Sequence, residues 1–158
     1  PKPIGRAVRY RSDGASRREH GESAGRAGYG TAVWRTGESG EPHAWFRASI
    51  GRASNNVAEY EGLKEGVRRA VRAGDSSVIF EVDSYVVAKH MAHRNAWACK
   101  TKALKEHYKT CRAFGQELTD KGVKWEVRHI YREFNQTADG LANAALDDEN
   151  GNGPSQHW

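Results

Sequence analysis

An α/β domain built on a mixed five-stranded sheet, with helices on both faces, is what the amino-acid sequence predicts. Three strand-like segments come first, separated only by turn chemistry, which makes an antiparallel meander. After them helical and strand-like segments alternate, so the last two strands can run parallel, each reached through a helix. No internal repeat or compositional break divides the 158 residues, and 17.6 kDa suits a single core.

Residues 7–12 alternate apolar and polar side chains and stop at Asp13-Gly14, which reads as a strand ending in a turn pair. A polar, glycine-rich stretch runs to Gly25, residues 29–34 form the second strand, and the turn cluster of residues 37–42 places the third at about residues 43–50. Ser54 or Asn55 can cap a helix beginning near Val57, whose stripe of Val57, Tyr60, Leu63, Val67, Ala70 and Val71 has the helical period. Gly74 closes it. A short buried strand follows at residues 78–82 and a short helix at 86–91. A longer helix at 103–118 carries Leu104, Tyr108, Cys111 and Phe114. The last strand spans 123–130 and the last helix 137–146. From Asp147 onward acidic residues, Gly, Asn and Pro predict a flexible tail, so the expected domain is residues 1–146 and the tail 147–158.

Lys and Arg number 25 against 20 Asp and Glu, giving a net charge of +5 and a pI near 9.3. That balance favours a polyanionic partner, because cations that neutralise phosphates release counterions; a basic pI alone is common among soluble proteins. Cys99 and Cys111 lack the Cys-x-x-Cys spacing and read as reduced thiols of an intracellular protein, in cytoplasm or nucleus. No apolar run reaches the length of a signal segment or a membrane span. Pro1-Lys2-Pro3 reads as the start of a domain excised from a longer polypeptide.

Four carboxylates stand in distinctive settings. Asp13 sits in Ser12-Asp13-Gly14-Ala15-Ser16-Arg17, Glu59 in Asn55-Asn56-Val57-Ala58-Glu59-Tyr60, Asp83 in Phe80-Glu81-Val82-Asp83-Ser84, and Asp139 in Asn135-Gln136-Thr137-Ala138-Asp139. The expected placements are a strand-end Asp, a Glu in the first turn of a helix, a second strand-end Asp and an Asp on the last helix. Each has a plain structural use: Asp13 in a turn, Glu59 against the helix dipole, Asp139 as surface charge. Asp83 closes a strand at the rim where ligand sites of such sheets collect, and Glu59 flanks the buried stripe. Acids gathered from separate elements repel unless cations sit among them.

The Asp13-Gly14-Ala15-Ser16-Arg17 run followed by Ala27-Gly28-Tyr29-Gly30, the Asn56-x-Ala58-Glu59 helix start, Val82-Asp83-Ser84, and the late His129…Arg132-Glu133-x-Asn135-x-x-Ala138-Asp139-x-Leu141-Ala142-Asn143 run occur in one order. In that order they resemble the type 1 ribonuclease H family over about residues 6–146. The likeness is greatest to the archaeal-like and retroelement-borne members, since the stretch between Asp83 and the next long helix leaves no room for the extra basic helix of some cellular enzymes. The resemblance implies the ribonuclease H-like fold and an endoribonuclease that cuts the RNA strand of an RNA–DNA hybrid. It also implies two Mg²⁺ ions, with Mn²⁺ as a substitute, held by Asp13, Glu59, Asp83 and Asp139. A monomer is expected, with a reverse transcriptase domain as companion if the parent is a retrotransposon polyprotein.

His129, ten residues before Asp139, matches the position of a histidine that assists proton transfer or product departure in many members. Its plain alternative is a structural histidine closing the last strand, with Arg132 serving as a fixed cation instead. For substrate, the resemblance assigns Asn55 and Asn56 to the 2′-hydroxyls of the RNA strand, Ser54 to a phosphate, and Gly14, Ala15, Ser16, Arg17 and Ser84 to the strand's path. Small residues at 14–16 would let main chain approach nucleic acid. Lys100, Lys102, Lys105 and Lys109, near Trp97, offer a surface for the DNA strand or an ordinary solvated helix face. Two positions depart from the family pattern: residues 18–23 predict a longer first hairpin, and Tyr85 stands where a polar side chain often contacts RNA.

Overall fold

The computed structural model describes residues 7–18, 20–147 and 153–154. Its elements in chain order are β1 (Val8–Arg17), β2 (Gly25–Trp34), β3 (Ala44–Ala53), α1 (Asn55–Ala73), β4 (Ser77–Val82), α2 (Tyr85–His90), α3 (Lys102–Asp120), β5 (Lys124–His129), a 3-10 turn (Arg132–Phe134), α4 (Gln136–Asp147) and the two-residue β6 (Gly153–Pro154). The sheet order is β5-β4-β1-β2-β3-β6. β1, β2 and β3 pair antiparallel, and β1–β4 and β4–β5 pair parallel. The predicted mixed sheet of three antiparallel and two parallel strands is therefore the observed one, with β6 added outside β3 through Phe46↔Pro154 and Arg47↔Gly153. Asp147 ends α4; the rest of the expected tail, apart from β6, lies outside the described residues.

Neighbouring residues of β2 show why helices occupy both faces. Thr31 Oγ1 donates to the Gly62 carbonyl oxygen of α1 at 2.7 Å, while Gly30, one residue earlier, faces α4. A Cβ at Gly30 would lie 2.4 Å from Leu141 Cβ and 2.6 Å from the Ala138 carbonyl oxygen, so α4 rests directly on bare β2 backbone. The α1 side holds the main core. Tyr60, Leu63, Val67 and Ala70 from the predicted stripe are buried there with Tyr10, Phe80, Val82, Met91 and Leu118. Full burial of each larger side chain contributes about 1.5–3 kcal/mol. Ser54 Oγ accepts from Val57 N and starts α1; Gly74, at φ 77°, ends it.

The first hairpin differs from the expectation. β1 does not stop at Asp13-Gly14 but pairs with β2 as far as Arg17↔Arg26, and β2 begins at Gly25. Asp13 is thus a mid-strand residue. Ser16 Oγ helps hold the extension, donating to the Ala53 carbonyl oxygen at 2.6 Å and accepting from Gly25 N at 3.1 Å. Gly14 belongs to this packing: a Cβ there would stand 2.2 Å from Ala58 C and 2.3 Å from Glu59 N, so only glycine lets α1 lie across β1. α1 also begins earlier than Val57, which puts Glu59 in its second turn, beyond the exposed amides of the helix start.

Candidate metal centre and nucleic-acid cleft

Three elements bring three acids together. The middle of β1 supplies Asp13, the second turn of α1 supplies Glu59 and the residue after β4 supplies Asp83; oxygens of the three lie within 4.8 Å of one another. The parallel pairing of β1 with β4, Ser12↔Val82 at its end, sets Asp13 and Asp83 side by side. Glu59 arrives from above because α1 sits directly on Gly14. Asp139, in the first turn of α4, lines the same cleft from the opposite face of the sheet, together with Gly14, Ala15, Asn55, Asn56 and Ser84.

The electrostatics call for a cation. Asp13 and Glu59 are both buried, and Glu59 Oε2 has no hydrogen-bond partner. Burial is the largest influence on Asp13, and with Asp83 and Asp139 nearby it pushes the carboxyl up to about 7. Burial, then Asp13 and Asp83, hold Glu59 well above the ordinary carboxylate range. The contact between the two acids acts downward on Asp13 and upward on Glu59, so the two titrate as a coupled pair that burial and repulsion hold above the ordinary carboxylate range. An orphaned buried carboxylate oxygen among close acids, all hard oxygen donors, fits a hard divalent cation.

Two asparagines that sequence reasoning gave no site role orient the acids. Asn135 is fully buried, and its Nδ2 donates to Asp83 Oδ2 at 3.1 Å and to the Ser12 carbonyl oxygen at 2.9 Å. The turn carrying it is tied down by Arg11, whose Nη1 donates to the Phe134 carbonyl oxygen at 3.0 Å while Nε binds Glu81 Oε1 at 2.9 Å. Asn143 Nδ2 donates to the Asp139 carbonyl oxygen at 3.0 Å and to Oδ1 at 3.4 Å, one helical turn along α4. The sequence signal was present in both cases: amides at fixed offsets from Asp139 in the late motif.

The remaining predicted residues divide. Asn55 and Asn56 are exposed on the cleft wall. Ser84 lines it too, and its Oγ accepts from Val87 N to cap α2. Arg17 lines the cleft, yet its guanidinium also engages α4 through Asn143 and Asp147, the latter at 2.7 Å. Ser54 caps α1 and does not line the cleft. His129, the last residue of β5, is exposed and lies outside the lining, flanked by the rings of Tyr85 and Tyr131 at 5.4 and 5.7 Å. Arg132 is on the cleft wall.

The sequence profile of the family described as reverse transcriptase-like matches residues 13–145. The crystal structure of RNase H1 from the halophilic archaeon Halobacterium salinarum superposes with a TM-score of 0.74 at 33% identity, covering 90% of this chain and 98% of that one. The chain belongs to the type 1 ribonuclease H family. Among type 1 ribonucleases H of known structure, LC11 RNase H1, crystallised in complex with an RNA/DNA hybrid, gives a TM-score of 0.72 at 27% identity over 89% of this chain and 96% of that one. The bifunctional protein Rv2228c of Mycobacterium tuberculosis is 36% identical over 136 residues, 86% of this chain. This ribonuclease H domain spans about a third of the length of that relative, 34%. Both free cysteines agree with the absence of a disulfide among the described residues, and no helix there is long and apolar enough to cross a membrane.

Proposed function

We propose that this domain is a metal-dependent endoribonuclease that hydrolyses the RNA strand of RNA–DNA hybrids, leaving 5′-phosphate and 3′-hydroxyl ends. The observation that carries the reading is the convergence of Asp13, Glu59 and Asp83 within 4.8 Å around an unpartnered buried carboxylate oxygen, in a cleft that Asp139 completes. Two Mg²⁺ ions held there, or Mn²⁺ in their place, would lower the pKa of an attacking water and stabilise the departing 3′ oxygen. Asp13, buried in the middle of β1, would hold metal together with Glu59, Asp83 and Asp139, and Asn135 and Asn143 would orient Asp83 and Asp139 through their amides. Asn55 and Asn56 present amides where an RNA strand's 2′-hydroxyls would pass, groups able both to donate and to accept. Arg132 supplies a fixed positive charge to the scissile phosphate from the wall. His129, exposed at the end of β5 between the Tyr85 and Tyr131 rings, would assist proton movement from outside the cleft lining.

A binding-only domain of the same fold is disfavoured by the acids themselves, which without cations repel both one another and a phosphate backbone. The retrotransposon setting, with a reverse transcriptase in the same polypeptide, draws its support from the subgroup likeness and from the description of the matching family; the domain would act there as a monomer inside the cell. An end-labelled RNA–DNA hybrid incubated in Mg²⁺, beside RNA–RNA and single-stranded RNA, tests the activity. Cutting confined to the hybrid and abolished by Asp83→Asn is expected; tight hybrid binding with no cutting in either metal would replace the enzyme by the binding domain.

A further inference from the structure

Four large hydrophobic side chains are exposed among the described residues, Tyr85, Trp97, Tyr131 and Phe134, at 53%, 46%, 68% and 58%. Three of them, with His129, make a continuous arc. Trp97 meets Tyr85 at 5.4 Å and 77°, Tyr85 meets His129 at 5.4 Å and 83°, and His129 meets Tyr131 at 5.7 Å and 81°. These contacts are edge-to-face, so they fix the rings without stacking their faces on one another, and the exposures leave ring surface open to solvent.

The arc joins the cleft at two of its members, Tyr85 and Tyr131. Ser84, before Tyr85, and Arg132, after Tyr131, line it. Cations accompany the rings: Lys89 Nζ stands 5.7 Å from the Trp97 ring, and Arg132 follows Tyr131, with Glu133 the one acid beside them in sequence. Open π-faces, flanking cations and continuity with a cleft for a polyanion are the chemistry of single-stranded nucleic-acid binding, in which bases stack on aromatic rings while cations follow the backbone.

We propose that Tyr85, His129 and Tyr131 form a stacking platform for unpaired nucleotides, so that the domain prefers a hybrid whose end continues as a single strand. The platform rests on the reading of the cleft as a hybrid site and adds to it a class of ligand, the single-stranded extension. It makes the substrate a junction, such as a partly displaced or incompletely copied strand, and not a uniform duplex.

Fluorescence anisotropy in EDTA, where no strand is cut, separates the two ideas. The probes are a blunt hybrid, the same hybrid with a short single-stranded extension, and one whose extension is abasic and so keeps the phosphates without bases. About tenfold tighter binding of the extended hybrid is expected, an increment in the range of one base–aromatic stack. The gain should vanish with the abasic extension and in Tyr131→Ala, and persist in Tyr131→Trp. Both variants should cut the blunt hybrid in Mg²⁺ as the unaltered domain does, which shows that they fold. Equal affinity for blunt and extended hybrids, or a gain that survives abasic extension or Tyr131→Ala, overturns the platform. Failure to cut any hybrid would instead remove the nuclease reading and leave the anisotropy comparison standing.

Discussion

The amide of Asn135 binds the Asp83 carboxylate at 3.1 Å from a wholly buried position, and the same nitrogen holds the Ser12 carbonyl oxygen next to Asp13. One side chain therefore sets the distance between two of the gathered acids. Replacing Asn135 by Ala strands a buried carbonyl and frees Asp83 to rotate, a change of about 1–3 kcal/mol. We predict a lower melting temperature together with weaker Mn²⁺ binding by titration calorimetry. Loss of stability with unaltered metal affinity would show that Asn135 is only a packing residue.

The acid pair sets a pH dependence whose sign is fixed by the direction of its shifts. Folding raises both Glu59 and Asp13, the latter to about 7. A raised acid contributes stability that is fully present below its unfolded pKa, near 4, and lost as pH rises through the folded value. Metal-free protein should lose the Asp13 contribution between about pH 4 and pH 7, and the Glu59 contribution as pH rises in the same direction. Mg²⁺ binds the deprotonated acids, so at a concentration about 100-fold above its dissociation constant it should raise the melting temperature by about 5–10 °C at pH 8 and by little at pH 5. Thermal scans with Mg²⁺ and with EDTA at both pH values decide; an equal gain at pH 5 would sink the account.

Arg132 and His129 are separable by kinetics. Arg132 is on the cleft wall and His129 is outside it between two rings. Arg132→Ala is expected to lower kcat on the order of 10², the effect of removing one group that stabilises transition-state charge. His129→Ala should lower it by less than about tenfold. The reverse order would restore the histidine to the chemistry.

Gly14 gives the most local test of how the centre is built. In Gly14→Ala the new methyl meets Ala58 and Glu59 main chain, at 2.2 and 2.3 Å, so α1 must lift and carry Glu59 with it. A loss of about 1–3 kcal/mol or more is expected, with hybrid cleavage falling further than the remaining folded fraction explains. Circular dichroism alongside the cleavage assay distinguishes displacement of Glu59 from simple unfolding.

What could be read in the sequence depended on whether local pattern or distant contact decides the structure. The α1 stripe was legible because Tyr60, Leu63, Val67 and Ala70 repeat at the helical period, and all four are buried. The continuation of β1 through Gly14-Ala15-Ser16 was not, since these residues favour strands weakly and owe their conformation to pairing with β2. The same distant packing explains Gly14. Its small size suggested room for nucleic acid; Gly14 does line the cleft, and its missing side chain also admits α1. Asp139, exposed on an alanine-rich helix, carries no local sign of its place; only α4 seated on Gly30 brings it to the cleft. Asn135 was visible as a member of the late motif, but its role was not, because its two partners lie 123 and 52 residues away.

The pairing of Gly153–Pro154 with Phe46 and Arg47 bears on how copies of the domain behave toward one another. β3 is ten residues long and would otherwise present its outer edge as a template for a strand from a second molecule. β6 covers that edge at Phe46 and Arg47, near its start, and is too short to serve as a template itself. Its proline has no N–H to offer, so a further strand would meet a missing donor just where the ladder should continue. Two residues far from the chemistry thereby interrupt edge-to-edge pairing over the first part of this side.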